Sequence, residues 1–409
     1  MSLWRNPSYR YLFSATAVSN LGDGVSALAF PWLATLITRD PVLIALVAFA
    51  TRLPWFLLSI PAGAVVDRYD RQGLMVRADW VRMALTLFVI GLILWIPAFP
   101  PPSGEVFYIG VLSVLAFLLG TAEVLRDNAA QTLLPSVVEA DELERANGQL
   151  WSAEHVMGQF VGPPLAGVLI AWAVPGPFLL DALTFAMAAL AVAKMQPKPH
   201  RPAARGALRD DIREAWRWMR DHPMVLRVAV VLGVMNGAAM LALTMLVLIS
   251  QERLGLNAFG HGVLLTAGAA GGVAGGLLGP RTITWLGRVQ ALRLALLLFP
   301  LTFLMIGLSN DPFVVGVALF FEAFAALLWN IVTVSWRQRI VPDALLGRVN
   351  SIYRFFGWGL TPLGALLGGV LVATGEGVFG RELALQLPYL AGAAILTVVL
   401  LYSWRRLSI

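Results

Sequence analysis

The 409-residue chain has no cysteine, which excludes a disulfide scaffold and any thiolate metal site. Charge is scarce as well: 13% of the residues are charged and four are histidine. No nucleophile–base pair, metal-ligand cluster or glycine-rich nucleotide loop can be assembled from the pattern, so neither an enzyme nor an ATP-driven pump is expected, and no cofactor or metal. Lysine is nearly missing, with Lys194 and Lys198 the only two among thirty basic residues. What fills the chain is apolar: 58% hydrophobic residues and a mean hydropathy of +0.75. That is more apolar surface than one water-soluble core can enclose, and a bilayer is the solvent that accommodates it.

A helix crosses the hydrocarbon with about 20 mostly apolar residues. Residues 11–38 are interrupted only by Asp23 and residues 41–66 only by Arg52, while 83–104 and 106–122 carry no charge. Residues 156–180 are uncharged but break at Pro175-Gly176-Pro177, and a further span runs from 178 to 195. The second half repeats the pattern at 228–251, 254–280, 294–310, 312–336 (with Glu322), 355–375 and 383–404. The expectation is an all-α integral membrane protein of twelve transmembrane helices, in two six-helix bundles at 1–195 and 223–409. The hydrophilic segment 196–222 joins them, Pro-rich at first and then an amphipathic surface helix from Leu208 to Arg220. The first apolar stretch is too long for a signal-peptide core and is expected to stay as span 1.

Orientation follows from the bias of basic residues toward cytoplasmic loops. All thirty fall on one side of this topology except Arg39, Arg253, Arg381 and the intramembrane Arg52. Both termini are therefore expected in the cytoplasm, with the protein in a bacterial inner membrane. The isoelectric point near 10.0 then reflects topology and not nucleic-acid binding, since the arginines sit at helix ends and not on one interleaved aromatic face.

The turn between spans 2 and 3 reads Gly63-Ala-Val-Val-Asp67-Arg68-Tyr-Asp70-Arg71-Gln-Gly73. It resembles the G-x-x-x-D-R-x-x-R signature of the major facilitator superfamily. Span 5 holds Gly158, Gly162-Pro163-Pro164 and Gly167, which looks like the glycine-proline motif of that family's antiporter branches, although ordinary small-residue packing explains it too. The stretch Arg337-Gln-Arg339, Pro342, Gly347-Arg348-Val-Asn350, Tyr353-Arg354 and Pro362-Leu-Gly364 is similar to the branch of macrolide efflux pumps and the enterobactin exporter. Pro135 with Glu144-Arg145-Ala146-Asn147 forms its first-half counterpart, as expected for a two-half transporter fold. The resemblance implies the major facilitator fold, a small-molecule substrate, protons as coupling ion, contact with membrane lipid and a monomer. It also implies conformational roles for Gly63, Asp67, Arg68, Arg71, Asp79, Arg82, Gly158, Gly162, Pro163, Gly167, Arg348 and Arg354.

Ionisable side chains within spans are costly and mark functional positions. Asp23 and Arg52 lie midway along spans 1 and 2, where antiparallel neighbours bring them level. They read either as a buried ion pair or as a proton switch in which burial opposes the nearby guanidinium. Glu123 and Asp127, four apart on one face of span 4, suit a proton relay or a cytoplasmic gate with Asp79 and Arg82. Glu322 stands alone in span 10 and reads as a substrate or proton contact. Asp181, Glu154 and His155 fall near span ends and are expected to cap or snorkel. Trp32, Trp55, Phe324 and Trp329 are candidates for lining a lipophilic cavity, with core packing as the alternative. Two other readings remain: a siderophore or lysolipid carrier, and a membrane receptor or assembly partner that does not transport.

Overall fold

The protein is described here by a computed structural model. Backbone structure covers residues 3–139, 142–197, 208–404 and 406. Side-chain detail within those ranges excludes residues 59, 60, 63, 64, 67, 68, 144, 208–212, 343, 344, 346, 347 and 351. The side chains of Gly63, Asp67 and Arg68 therefore lie outside the described residues.

All secondary structure among the described residues is helical. The first half comprises α1 (Pro7–Ile37), α2 (Pro41–Arg68), α3 (Arg71–Trp95), α4 (Glu105–Leu133), α5 (Leu143–His155), α6 (Gly162–Trp172) and α7 (Gly176–Ala193). α8 (Leu208–Asp221) follows, then α9 (Pro223–Leu243), α10 (Leu246–Leu248), α11 (Ala258–Leu286), α12 (Arg288–Leu308), α13 (Pro312–Ile340), α14 (Asp343–Gly359), α15 (Thr361–Phe379), α16 (Arg381–Ala384) and α17 (Leu387–Ser403). Among the described residues, ten helices are long and apolar enough to cross a membrane. α1 and the α5–α6 segment are not among the ten: α1 is diluted by Ser14, Thr16, Ser19, Asn20 and Asp23, and α5 carries Glu142, Arg145 and Glu154 at or within its ends.

Two of the helices differ instructively from the uncharged runs. α3 starts at Arg71, not near residue 83, and α4 continues to Leu133 beyond its apolar stretch. Both run straight through charges because those charges meet one another inside the bundle. α3 is started by Asp70, whose side chain accepts from the backbone N–H of Gly73 at 2.7 Å. Arg71 then ties that end to α4, donating to the Thr132 carbonyl at 2.7 Å.

α5 and α6 form one helical rod interrupted by a π turn at Val156–Val161. Pro163 and Pro164 have no N–H to return to the preceding turn, so the ladder widens locally. The glycines here serve close approach. A Cβ added at Gly162 would stand 2.6 Å from the Cα of Gly24 on α1, and one at Gly167 would meet Phe259.

The chain divides into two compact units, one of residues 1–39, 46–204 and 257–263, the other of 40–45, 205–256 and 264–409. In the first, α1 packs against α7 and the α5–α6 rod, and α3 against α4 and α7. Its core at one end gathers Leu3, Tyr9, Leu12, Val66, Met75, Leu133, Val192 and Met195. In the second, α9 packs against α14, α15 and α17, and α12 against α13 and α17. α8 docks on α14 within this unit. Met219 and Ala215 face inward, Trp216 stacks on Phe356 at 6.1 Å, and Arg348 donates to Glu214 at 2.6 Å.

Candidate functional site

The first unit holds a chain of buried charges. Asp79 and Arg82, one turn apart on α3, and Arg126 on α4 are all buried. Arg126 approaches Asp79 at 3.5 Å through Nε and Asp127 at 3.3 Å through Nη1. Its Nη2 donates to the Ala15 carbonyl at 3.4 Å. Arg82 lies 3.9 Å from Asp79, donates to the Ser19 hydroxyl at 3.3 Å and pairs with Asp23. Its guanidinium also rests 3.9 Å over the Phe185 ring of α7, an orientation that fixes the planar group. Glu123 faces Arg82 from α4, and Asp181 of α7 accepts from the Ser26 hydroxyl at 2.5 Å.

The partner of Asp23 is therefore Arg82 and not Arg52. Arg52 is exposed on α2 and makes no ion pair among the described residues. A second expectation changes with Asp181, which does not cap or snorkel but is buried between α1 and α7. Its place five residues into α7 looks terminal in sequence, yet packing against Gly22 encloses it. Glu154 is exposed. Glu123 and Asp127 do share a face, and Asp127 contacts the Asp79–Arg126 pair. Five carboxyl groups, of which Asp79 and Asp181 are fully buried and Asp23, Glu123 and Asp127 partly so, thus face two buried guanidinium groups, Arg82 and Arg126, while the exposed Arg52 faces Glu123 from α2.

The second unit contributes a cavity of about 70 Å³ lined by Asn236, Phe299, Phe303, Glu322, Trp329 and Asn330, among others. It has room for a few waters or one polar group of a larger molecule. Glu322 has no hydrogen bond or ion pair among the described residues, and the buried Trp329 Nε1 has no acceptor. Asn236 donates to the Gly357 carbonyl at 2.8 Å, tying α9 to α14. Of the other aromatic candidates, Trp32 is buried 6.0 Å from the His261 ring in the first unit. Trp55 is half-buried. Phe324 packs by its backbone against Gly275. Neither Arg348, engaged with Glu214, nor the exposed Arg354 reaches this cavity's lining.

The sequence overlooked Ser19 and Ser26, whose hydroxyls meet Arg82 and Asp181. Their spacing with Asp23, about one turn each, was the available signal.

Known proteins place these features. The chain is 29% identical to the multidrug efflux pump Tap of Mycobacterium tuberculosis over 94% of its own length and 91% of that protein's. It is 22% identical to the staphyloferrin A transporter of Staphylococcus aureus, with 88% of each covered. Its fold matches the crystal structure of a bacterial homologue of the iron transporter ferroportin in its inward-facing state, with a TM-score of 0.76 at 16% identity, covering 99% of this chain and 100% of the other. The transmembrane secretion effector family matches residues 1–408. The chain is a multi-pass membrane protein belonging to that family of the major facilitator superfamily, whose members are transporters and not enzymes.

Proposed function

We propose that this protein is a twelve-span, proton-coupled secondary exporter that moves lipophilic and amphipathic compounds out of the cell by alternating access. The observation that carries the reading is the imbalance in the first unit, where five carboxyl groups face two buried guanidiniums and the exposed Arg52. Burying an unpaired carboxylate is strongly unfavourable, so a cluster with more acids than cations takes up protons to remain neutral. A group that must gain and lose protons as its surroundings change is what coupling requires.

The relative named as a multidrug efflux pump matches along nearly the whole chain, which supports export of drug-like compounds. Glu322, without a cation and beside aromatic walls, supports contact with the polar part of such a compound. The distribution of arginines supports both termini inside a bacterial inner membrane. Residues 1–195 and 223–409 then form two six-helix bundles in one chain, acting as a monomer. The staphyloferrin A transporter among the relatives favours siderophore carriage as the second reading.

Everted membrane vesicles containing the protein test the proposal, with ethidium, erythromycin and tetracycline as probes. Respiration-driven uptake of at least one probe, collapsed by a protonophore and reduced by Asp23→Asn and Glu322→Gln, is the expected result. Full uptake by both variants, or none of the three probes transported while an iron-chelate siderophore is, contradicts it.

A further inference from the structure

Asp181 has no part in the resemblance, and the reading above counts it among the five carboxyl groups without giving it a role of its own. It is 1% exposed and lies in the second turn of α7. Oδ2 accepts from the Ser26 hydroxyl at 2.5 Å, while Oδ1 is buried without a donor among the described residues. Gly22 makes the approach of α7 feasible, since a Cβ there would collide with the side chains of Asp181 and Thr184.

The contacts on α1 form a ladder. Arg126 meets the Ala15 carbonyl, Arg82 meets Ser19 and Asp23, and Asp181 meets Ser26. These rungs recur at about one helical turn and extend about 16 Å along the axis, a good half of the ~30 Å hydrocarbon. The charges facing Asp181 are Asp23 from α1 and Arg82 from α3. Asp79 from α3 and Glu123 from α4 face the same Arg82 guanidinium. Arg82 itself is engaged with Asp23. Asp181 and the partly exposed Asp23 thus meet α1 one turn apart and share the influence of one guanidinium, and while Arg82 is engaged with Asp23 the fully buried Asp181 must be neutral.

We propose that Asp181 is a second proton-carrying residue of the transporter, exchanging one proton with Asp23 along α1. With Arg82 on Asp23, the proton resides on the Asp181 carboxyl and Ser26 holds that group in place. When Arg82 turns to Asp181, the proton passes to Asp23, and the total charge of the three groups is unchanged. On the topology proposed above, the Ser26 end of α1 is the outer one, so Asp181 is the acid that receives protons from the external side. The inference rests on the proton-coupled reading, which supplies the proton.

The full-length protein in proteoliposomes tests it, with ethidium as the transported probe and an internal pH dye. Asp181→Asn is expected to lose pH-gradient-driven ethidium accumulation to the level of empty liposomes, yet keep ethidium exchange down its own gradient. Asp181→Glu restores accumulation. Ser26→Ala moves the midpoint of its pH dependence. Accumulation by Asp181→Asn equal to the parent protein overturns the proposal. So does loss of both accumulation and exchange in Asp181→Asn and Asp181→Glu alike, since that pattern marks a packing role. If the parent protein itself shows no pH-driven accumulation, or a sodium gradient drives it instead, the coupling reading fails and this inference with it.

Discussion

Arg126 shows most plainly how single side chains sustain the site. It is buried with Asp79 and Asp127 within 3.5 Å of its guanidinium, so removing it leaves the fully buried Asp79 with only Arg82, at 3.9 Å, for a cation. Arg126→Ala is expected to cost about 3–5 kcal/mol of stability, because deleting one partner of a buried pair leaves the other uncompensated. A thermal-unfolding scan in detergent, read beside exposed Arg354→Ala as a neutral control, checks this. Equal unfolding midpoints for the two variants would refute the buried-network account. At this scale the sequence is partly legible: an acid inside an apolar run announces itself, as Asp23 and Glu322 do, and Glu123 and Asp127 stand out by their four-residue spacing just past one. The choice of partner was not legible. By the uncharged runs Arg52 lies level with Asp23 and Arg82 falls just outside span 3, and only the packing of α7 against both α1 and α3 brings Arg82 to Asp23. Asp181 looks terminal in the sequence, but distance from a helix end says nothing about what the neighbouring helix covers.

Helices carry the next level of specification. Uncharged runs located the apolar parts of the elements but cut α3 and α4 short, since a run that ends at a charge looks like a helix leaving the membrane. The true ends lie beyond because Asp79, Arg82, Glu123, Arg126 and Asp127 compensate one another within the bundle. The glycines of α11 differ in what they face. Gly271 and Gly275 press on α13, where a Cβ at Gly275 would come within 2.7 Å of the Leu327 Cβ and one at Gly271 would strike the Phe320 backbone. Gly276 faces open space. Gly271→Ala is therefore expected to lower both the unfolding midpoint and ethidium transport, while Gly276→Ala leaves both unchanged. Reversal of that order would show that the α11–α13 contact is wrongly assigned. Gly162→Val is expected to be as damaging as Gly271→Ala, because α1 has no side chain at Gly24 that can yield; a wild-type transport rate would contradict it.

The whole molecule was the most legible level and for the simplest reason: composition decides between water and lipid before any contact is considered. Orientation is open to direct test because the chain has no cysteine, so single introduced thiols report without background. In intact cells an impermeant maleimide is expected to label Ser103→Cys, between α3 and α4, and to spare Tyr69→Cys, between α2 and α3. The opposite labelling would invert the topology and with it the direction of transport. What composition and motif could not supply is the chemistry of coupling, which depends on how many acids share each guanidinium. The most direct test of that claim is simultaneous measurement of ethidium and proton movement in proteoliposomes of the unmodified protein. The account predicts that ethidium added on one side drives protons to the same side, and that Asp23→Asn abolishes the proton signal. Ethidium transport with no accompanying proton movement would contradict it.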